Sequence, residues 1–274
     1  MIPKVIHYCW FGGNPLSEKE LKCIHSWEKY CPGYVIKRWD ESNFDLECND
    51  YVKEAYANKK WAFVSDYARL FILYHEGGLY FDTDVELIKP IDDIVVWGPF
   101  MGFESRHAVN PGLGIGAEKE MPLYKELLDH YDHIHFIGPD GMQNPGTIVS
   151  ITTNALVKRG LKRISKNQRV EGIVIYKEEY FSPIDFQTGI LKTTANTRSI
   201  HHYRSSWFSP AEKKLQKLQE RLVRVFGRRL GMSLGQMLSS TYKALVRVKK
   251  NGIKKTVRYY IRLIKWRKTE SGNN

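Results

Sequence analysis

The chain has 274 residues, of which 42% are apolar, enough for a folded domain with a sizeable core. No stretch reaches the roughly 18 uncharged apolar residues of a spanning helix, and the N-terminus does not resemble a secretory signal. Membrane-spanning and secreted classes are therefore not expected. The net charge of +12 is uneven, because residues 211–274 carry 18 Lys/Arg against 3 Asp/Glu and residues 1–210 are slightly acidic.

The first third of the sequence alternates between strand and helix patterns. Short apolar runs predict strands, and apolar residues at helical spacing predict helices that stop at glycine. In chain order the predicted elements are a strand at 5–10, a helix opened by a capping box of Ser17 and Glu20, a strand at 34–39, helices at 51–57 and 60–76, and a strand at 79–81. This alternation predicts an α/β fold.

The remaining chain has two parts of different character. Up to residue 210 the pattern predicts strands at 100–103, 112–116, 173–176 and 199–203, and helices at 122–131 and 147–157. Beyond residue 210, leucines, isoleucines and valines recur at helical spacing among lysines and arginines, which predicts basic amphipathic helices. We therefore predict a domain over residues 1–210 and a basic helical tail over 211–274.

The sequence Asp82-Thr83-Asp84 directly follows the apolar run that Gly77-Gly78 separates from the preceding helix. Two aspartates at this spacing are common in polar turns, so the motif alone is weak. At the carboxyl end of a strand, however, they lie where α/β sheets bind ligands. Carboxylates bind Mg²⁺ or Mn²⁺, and such a cation stabilises a departing diphosphate. The motif therefore points to chemistry on a nucleotide-sugar.

Four segments resemble glycosyltransferase family 32, in its order and spacing. They are residues 2–13 (IPKVIHYCWFGG), 36–44 (IKRWDESNF), 62–69 (AFVSDYAR) and 77–85 (GGLYFDTDV). The resemblance covers about the first 105 residues and continues more weakly to about residue 208. It implies a GT-A fold, a Rossmann-like α/β/α sandwich, here extended by the basic helical tail. It also implies retaining transfer of a hexose from a UDP-sugar, in bacterial capsule or other surface polysaccharide synthesis. The glucosyltransferase domains of large clostridial toxins are similar in pattern.

The resemblance also assigns roles to single residues around the donor. It implies that Trp10 stacks on uracil, although a buried strand-end tryptophan is the alternative. It implies that Asp66 and Arg69, which share a helix face, contact the sugar hydroxyls and the phosphate; an intrahelical salt bridge is the alternative. Tyr80 would flank the nucleoside, and Asp82 would contact ribose and sugar hydroxyls.

The same resemblance implies a metal site. Asp84 would be the direct ligand, and a second ligand is expected before the late Ser205 and Trp207. Both of these residues are expected to bind the donor, and Trp207 would cover the diphosphate. His202 fills that position, and a histidine ligand favours Mn²⁺ over Mg²⁺; His201 is the alternative. Asn110 matches an amide beneath the reacting sugar carbon, or is a turn residue before Pro111.

The basic tail suggests an anionic partner. Because bacterial glycan assembly often uses lipid-linked acceptors, we predict a cytoplasmic protein bound peripherally to the inner face of the membrane through residues 211–274. Trp266 and the pair Tyr259-Tyr260 suit the headgroup zone. A solvated or self-packing helical tail is the alternative.

Three other functions compete with a transferase. The tail could bind nucleic acid, but residues 1–210 are slightly acidic and carry no recognised module, so no nucleic-acid partner is expected. A glycoside hydrolase would use Asp82 and Asp84 as acid and base. A non-catalytic nucleotide-sugar binder would keep the donor site without transfer. The sequence leaves the sugar, the acceptor and the oligomeric state open.

Overall fold

The computed structural model describes residues 1–104, 107–144, 146–185, 188–204 and 209–271, with side chains up to residue 266. The helices are α1 Glu18–Tyr30, α2 Asp50–Ala57, α3 Trp61–Glu76, α4 Asp92–Val95, α5 Pro122–Asp132, α6 Ile148–Lys158 and α7 Pro210–Ser271. The strands are β1 Val5–Cys9, β2 Val35–Trp39, β3 Gly78–Tyr80, β4 Val85–Leu87, β5 Phe100–Glu104, β6 Ala108–Val109, β7 Ile115–Ala117, β8 Gln168–Val170, β9 Ile173–Tyr176 and β10 Ser199–His201. The predicted α/β class is confirmed.

A mixed sheet forms the centre of the first compact unit. Its strand order is β2-β1-β3-β7-β5-β9-β8, and β6 pairs with β5. Strand β1 runs parallel to both β2 and β3, whereas β7 is antiparallel to β3. The carboxyl ends of β1 and β3 therefore meet at one edge of the sheet, where the first part of the site is built.

The α3–β3 junction shows why the sequence folds in this way. Helix α3 ends at Gly77, whose φ is 66°, and Gly78 follows with a φ of 94°. A Cβ on Gly78 would lie 2.8 Å from the carbonyl oxygen of Val5. Glycine is therefore required for the turn and for the close approach of β3 to β1.

A second, two-stranded pairing completes this unit. Strand β10 pairs antiparallel with β4, so that His201 lies opposite Val85. The carbonyl of Val85 also accepts a hydrogen bond of 2.8 Å from Nε1 of the fully buried Trp27 on α1. Phe81 packs on the same tryptophan, with ring centroids 5.5 Å apart. Strand β4 is thus held both by a late segment of the chain and by the core.

The second compact unit contains α7 together with residues 137–145 and 185–191. Helical backbone geometry is interrupted within α7 at Gly227 and Gly252, whose φ values are 74° and 77°. Helical segments therefore run over residues 210–226, 228–251 and 253–271, which confirms the predicted C-terminal helical extension. Among the described residues, no helix is both long enough and apolar enough to cross a bilayer.

The first two of these segments pack closely. A Cβ on Gly231 would lie 2.5 Å from backbone atoms of Val223, and one on Gly235 would lie 2.5 Å from Cγ of Gln219. Two glycines four residues apart on one helix thus let the preceding segment approach its backbone. The first two helical segments of the tail therefore pack on each other.

Two predictions about chain organisation need comment. The strand expected at 112–116 begins only at Ile115, because the preceding residues turn, with Leu113 N–H donating to the carbonyl of Asn110 at 3.3 Å. The domain boundary at residue 210 stays a prediction. The contact pattern groups the two short segments at 137–145 and 185–191 with the C-terminal helices, and neither was expected there.

Candidate active site

The two aspartates of the motif lie in the connection between two strands. Asp82 follows β3 and Asp84 directly precedes β4, and the N–H of Val85 donates to the carbonyl of Asp82 at 2.9 Å. This tight turn directs both carboxylates towards the same region. The edge of the sheet therefore presents two acidic groups together, as the chemistry of the motif requires.

A histidine from β10 joins the two aspartates. His201 Nε2 lies 3.0 Å from Asp84 Oδ1, and the backbone N–H of Arg204 donates to Asp84 Oδ2 at 2.9 Å. Ligand atoms of Asp82, Asp84 and His201 all lie within 4.8 Å of one another. His201 is buried, and its Nδ1 has no hydrogen-bond partner within the described residues. Two carboxylates and an imidazole form a donor set that suits Mn²⁺.

The electrostatics favour the charged forms of Asp84 and His201, whereas burial raises the pKa of Asp82. Burial alone would raise the pKa of Asp84, but the charge and hydrogen bond of His201 and the N–H of Arg204 hold the pKa far below its usual value. Burial lowers the pKa of His201, yet Asp84 and Asp82 outweigh it and raise that pKa overall. Without a cation, the pair is therefore a buried carboxylate–imidazolium ion pair.

Arg69 links the motif to helix α3. Its Nη2 lies 3.0 Å from Asp82 Oδ1 and 3.2 Å from Asp66 Oδ1, while its Nε donates to the carbonyl of Ser65 at 3.1 Å. Burial raises the pKa of Asp66 to about 7, although Arg69 acts in the opposite direction. The predicted i, i+3 pair on one helix face is present, and it extends to Asp82. The salt bridge between Asp66 and Arg69 and the candidate site around Asp82 are therefore formed by the same group of side chains.

The two aromatic residues predicted at the donor lie in different environments. Trp10 follows β1 at the same sheet edge, is partly buried, and donates from Nε1 to the carbonyl of Asn14 at 2.6 Å. Tyr80 is only 1% exposed; its hydroxyl donates to Asp82 Oδ1 at 3.2 Å, and Arg69 lies 4.9 Å from its ring centroid. The exposed part of the Trp10 indole can contact a ligand. The buried Tyr80 instead contacts Arg69 and Asp82 and holds them in place.

Asn110 belongs to a loop that contacts Asp82. Its Oδ1 accepts from the N–H of Gly112 at 2.8 Å and its Nδ2 donates to Glu104 Oε2 at 2.9 Å. The carbonyl of Gly112 in turn accepts from the N–H of Asp82 at 3.2 Å. The side-chain amide therefore shapes the loop in this state, which agrees with the turn interpretation.

His202 lies outside this cluster. Its Nε2 is 2.8 Å from Glu86 Oε2, and Lys22 lies 2.9 Å from the other oxygen of the same carboxylate. The described geometry places His201, the alternative ligand, beside Asp84 instead. Ser205 and Trp207, both predicted to bind the donor, lie outside the described residues.

Sequence reasoning missed the part that Gly112 plays. A Cβ at this position would lie 2.1 Å from Asp82 Oδ2, so only glycine leaves room for the carboxylate. The sequence Asn110-Pro111-Gly112 is typical of an ordinary turn. The contact of Gly112 with Asp82 depends on the pairing of strands that are distant in sequence. Glu104, at the end of β5, was missed for the same reason.

Comparison with known proteins agrees with this geometry. Residues 17–100 match the family model described as "Glycosyltransferase sugar-binding region containing DXD motif". The chain is a glycosyltransferase. The matched residues of this glycosyltransferase include Asp66, Arg69, Asp82 and Asp84, so the described cluster of acidic and basic groups lies mostly within the matched region.

The glycosyltransferase is similar in sequence to two known proteins and in structure to a third. It is 24% identical over 195 residues to an uncharacterized glycosyltransferase of Acanthamoeba polyphaga mimivirus, covering 67% of this chain and 74% of that protein. It is 32% identical over 109 residues to inositol phosphoceramide mannosyltransferase 1 of Schizosaccharomyces pombe, covering 36% of this chain and only 33% of that protein. The solved structure of the PaToxG glycosyltransferase is similar over 57% of this chain and 69% of its own, with 20% identity and a TM-score of 0.44.

Proposed function

We propose that this glycosyltransferase is metal-dependent and transfers a hexose, with retention of configuration, from a UDP-sugar to a glycan acceptor. The observation that carries the proposal is the convergence of Asp82, Asp84 and His201 within 4.8 Å, with Arg69 on Asp82. Paired carboxylates and a histidine beside a buried arginine form a site for a diphosphate and its cation. Retention is supported by the family resemblance.

The residues fit a divalent cation. Asp82, Asp84 and His201 would hold it, and the imidazole favours Mn²⁺ over Mg²⁺. When bound, such a cation neutralises negative charge on a departing diphosphate. The buried Nδ1 of His201 supports this assignment, because a buried polar atom without a hydrogen-bond partner among the described residues is accounted for by an ion or a water.

The protein's own groups prepare the site for the donor. Arg69 is held in one orientation by Asp66, Asp82 and the carbonyl of Ser65, so its positive charge is pre-organised near the phosphate position. Asp82 has one oxygen engaged by Arg69 and Tyr80, and its Oδ2 is available for a hydroxyl or the cation. Trp10, at the same edge, would stack on the uracil. We assign no general base, because the departing phosphate can take the acceptor proton.

The acceptor is part of the same proposal. One relative carries the name of an inositol phosphoceramide mannosyltransferase, and the basic helical region has the charge for an anionic membrane. We therefore favour a lipid-linked acceptor at the cytoplasmic face of a membrane, in bacterial surface polysaccharide synthesis. A nucleic-acid partner and a non-catalytic nucleotide-sugar binder are the competing functions.

The first test is donor hydrolysis by the purified protein. UDP-galactose, UDP-glucose, UDP-N-acetylglucosamine, UDP-N-acetylgalactosamine and GDP-mannose are each incubated with Mn²⁺ or with EDTA, and nucleotide release is followed. We expect release from one UDP-sugar that EDTA abolishes. Release that persists in EDTA would contradict metal dependence, and a preference for GDP-mannose would contradict the UDP-sugar assignment. Donor binding by calorimetry without hydrolysis or transfer would favour the non-catalytic binder.

The second test separates the two neighbouring histidines. Asp84→Asn and His201→Ala should each weaken Mn²⁺ binding at least about tenfold, whereas His202→Ala should bind it almost as the native protein does. His202 is the matched control, since it lies next to His201 but contacts Glu86. Loss of Mn²⁺ binding in His202→Ala with unchanged binding in His201→Ala would return the ligand role to His202.

A further inference from the structure

The last helical segment is fixed to its own unit by one arginine. Arg262 Nη2 lies 2.8 Å from Asp140 Oδ1 and donates to the carbonyl of Met142 at 3.3 Å, and Nη1 donates to Asn144. A Cβ on Gly138 would lie 1.7 Å from Nη1, so this loop has room for the guanidinium only because position 138 is glycine. The segment after Gly252 is therefore docked through a specific, partly buried contact.

Other contacts on nearby faces fix how the segment is rotated about its axis. Thr256 and Tyr259 are only 5% and 8% exposed. Arg247, on the preceding segment, donates from Nη2 to the hydroxyl of Tyr259 at 3.2 Å, and its guanidinium carbon lies 4.3 Å from that ring's centroid. The face containing Tyr259 is thus unavailable to another partner, which corrects the expectation that this tyrosine lies in a headgroup zone.

A different face of the same segment carries exposed aliphatic side chains. Ile253, Val257, Ile261 and Ile264 are 69%, 50%, 49% and 53% exposed, and their spacing of four, four and three residues places them along one stripe. We call these four residues the aliphatic stripe. Branched aliphatic residues that are each about half exposed or more, repeated over three helical turns, form a continuous apolar surface rather than scattered contacts.

Basic residues border the aliphatic stripe. Lys254, Arg258 and Lys265 are exposed, and each follows a stripe residue by one position, about 100° further round the helix. The surrounding region carries 18 Lys/Arg against 3 Asp/Glu. An apolar strip with cations along one margin matches an anionic bilayer surface, in which acyl chains lie beneath phosphate groups. Nucleic acid would leave the aliphatic side chains unburied, and a second copy would bring like charges together.

We infer that the aliphatic stripe inserts into the interface of an anionic lipid bilayer while Lys254, Arg258 and Lys265 contact lipid phosphates. The inference deepens the proposed lipid-linked acceptor and rests on that function for its biological purpose. Its physical basis is independent of catalysis. The docked face containing Tyr259 and Arg262 keeps the stripe outward, so binding requires no unfolding of the segment.

The test is co-sedimentation of the full chain with phosphatidylcholine vesicles that contain or lack phosphatidylglycerol. Native protein should sediment with the anionic vesicles and be released by salt. The double variant Val257→Gln, Ile261→Gln should lose most of the bound fraction without losing helicity. The matched control, Val35→Gln with Val96→Gln, replaces two aliphatic residues that are 64% and 76% exposed and should bind like the native protein.

Several results would overturn the inference. Equal vesicle binding by the two double variants would show that the stripe is not the contact. If the native protein bound duplex DNA but not anionic vesicles, the stripe would belong to a nucleic-acid-binding surface. If the native protein were a dimer and only the Val257→Gln, Ile261→Gln variant were a monomer, the stripe would be a self-association surface. Nucleotide release from the donor is measured in a separate assay without vesicles. Failure of vesicle binding with intact release would overturn the stripe alone, whereas absent release would bear on the transferase.

Discussion

Arg69 Nη2 lies 3.0 Å from Asp82 Oδ1 in a pair whose arginine side chain is 5% exposed. Removing the arginine leaves Asp66 and Asp82 without their main counter-charge. We expect Arg69→Met to lower the free energy of unfolding by about 3–5 kcal/mol and to abolish donor binding. Arg38→Met, which breaks the more exposed pair with Asp40, should cost no more than about 1 kcal/mol. Chemical denaturation measures the unfolding free energy of both variants, and calorimetry measures their donor binding. Similar losses of stability in the two variants would contradict the greater cost expected for the buried pair.

Gly112→Ala should damage the site more than the fold. The new Cβ would lie 2.1 Å from Asp82 Oδ2, so the carboxylate must move, and a displacement of about 1 Å can reduce activity about a hundredfold. We expect Mn²⁺ affinity and nucleotide release to fall while Tm changes little. Calorimetry and thermal unfolding give the two readouts.

Gly116→Ala is the matched control for that variant. Its Cβ would lie 2.4 Å from Cε1 of Phe100, a fully buried ring in the core and away from the motif. This variant should lower Tm and leave Mn²⁺ affinity of the folded protein unchanged. If both variants lowered Tm equally and neither altered metal binding, the contact of Gly112 with Asp82 would not be needed for metal binding.

His7 should make the fold sensitive to acid. Trp39 Nε1 donates to its Nδ1 at 3.1 Å, so Nε2 carries the proton and donates to the carbonyl of Gly77 at 3.0 Å. Burial lowers the pKa of His7 from 6.5 to about 4. The stabilising contribution is present above pH 6.5 and is lost as the pH falls through 4, at a cost of about 3 kcal/mol.

The pH dependence of unfolding provides the check. His7→Gln cannot titrate, so its stability should fall less than that of the native protein between pH 6.5 and 4. His25→Gln, at an exposed position on α1, should retain the native profile. A profile for His7→Gln that parallels the native one would place the acid sensitivity elsewhere.

Gly231→Ala should destabilise the first two segments of α7. Alanine in a helix normally stabilises it by about 1 kcal/mol relative to glycine, but here its Cβ would meet the backbone of Val223 at 2.5 Å. We expect a net loss of about 1–3 kcal/mol, seen as a lower Tm and faster proteolysis of the C-terminal region. Gly235→Ala meets the flexible side chain of Gln219 and should cost less; equal stability gains in both variants would show that the segments do not pack closely.

The sequence predicted the elements that carry their own local signals. The capping box of Ser17 and Glu20 opens α1, and Gly77-Gly78 separates α3 from β3, as expected. Strands β4 and β8 were missed, because no apolar run marks them and their stability comes from distant partners. Local patterns thus gave the long helices and several of the strands, and tertiary pairing decided the rest.

The choice between His201 and His202 as the neighbour of Asp84 shows why part of the candidate site was beyond sequence reasoning. Neighbouring residues of a strand point to opposite faces, so a one-residue shift in register exchanges them. The register of β10 is set by its pairing with β4, in which His201 lies opposite Val85. Nothing in the local sequence contains that pairing. Tyr80 is a similar case, since it is 1% exposed on the central strand β3 and lies against Arg69, which no local pattern indicates.

The pairing of β4 with β10 also has a consequence for biosynthesis. Asp82 and Asp84 leave the ribosome early, but the strand that brings His201 to them is made only after most of the first compact unit. A growing chain can therefore form the parallel β1–β2–β3 core before it has all three side chains of the proposed cation site. On the proposed function, we expect the enzyme to bind metal and act on cellular sugar nucleotides only once synthesis has passed β10.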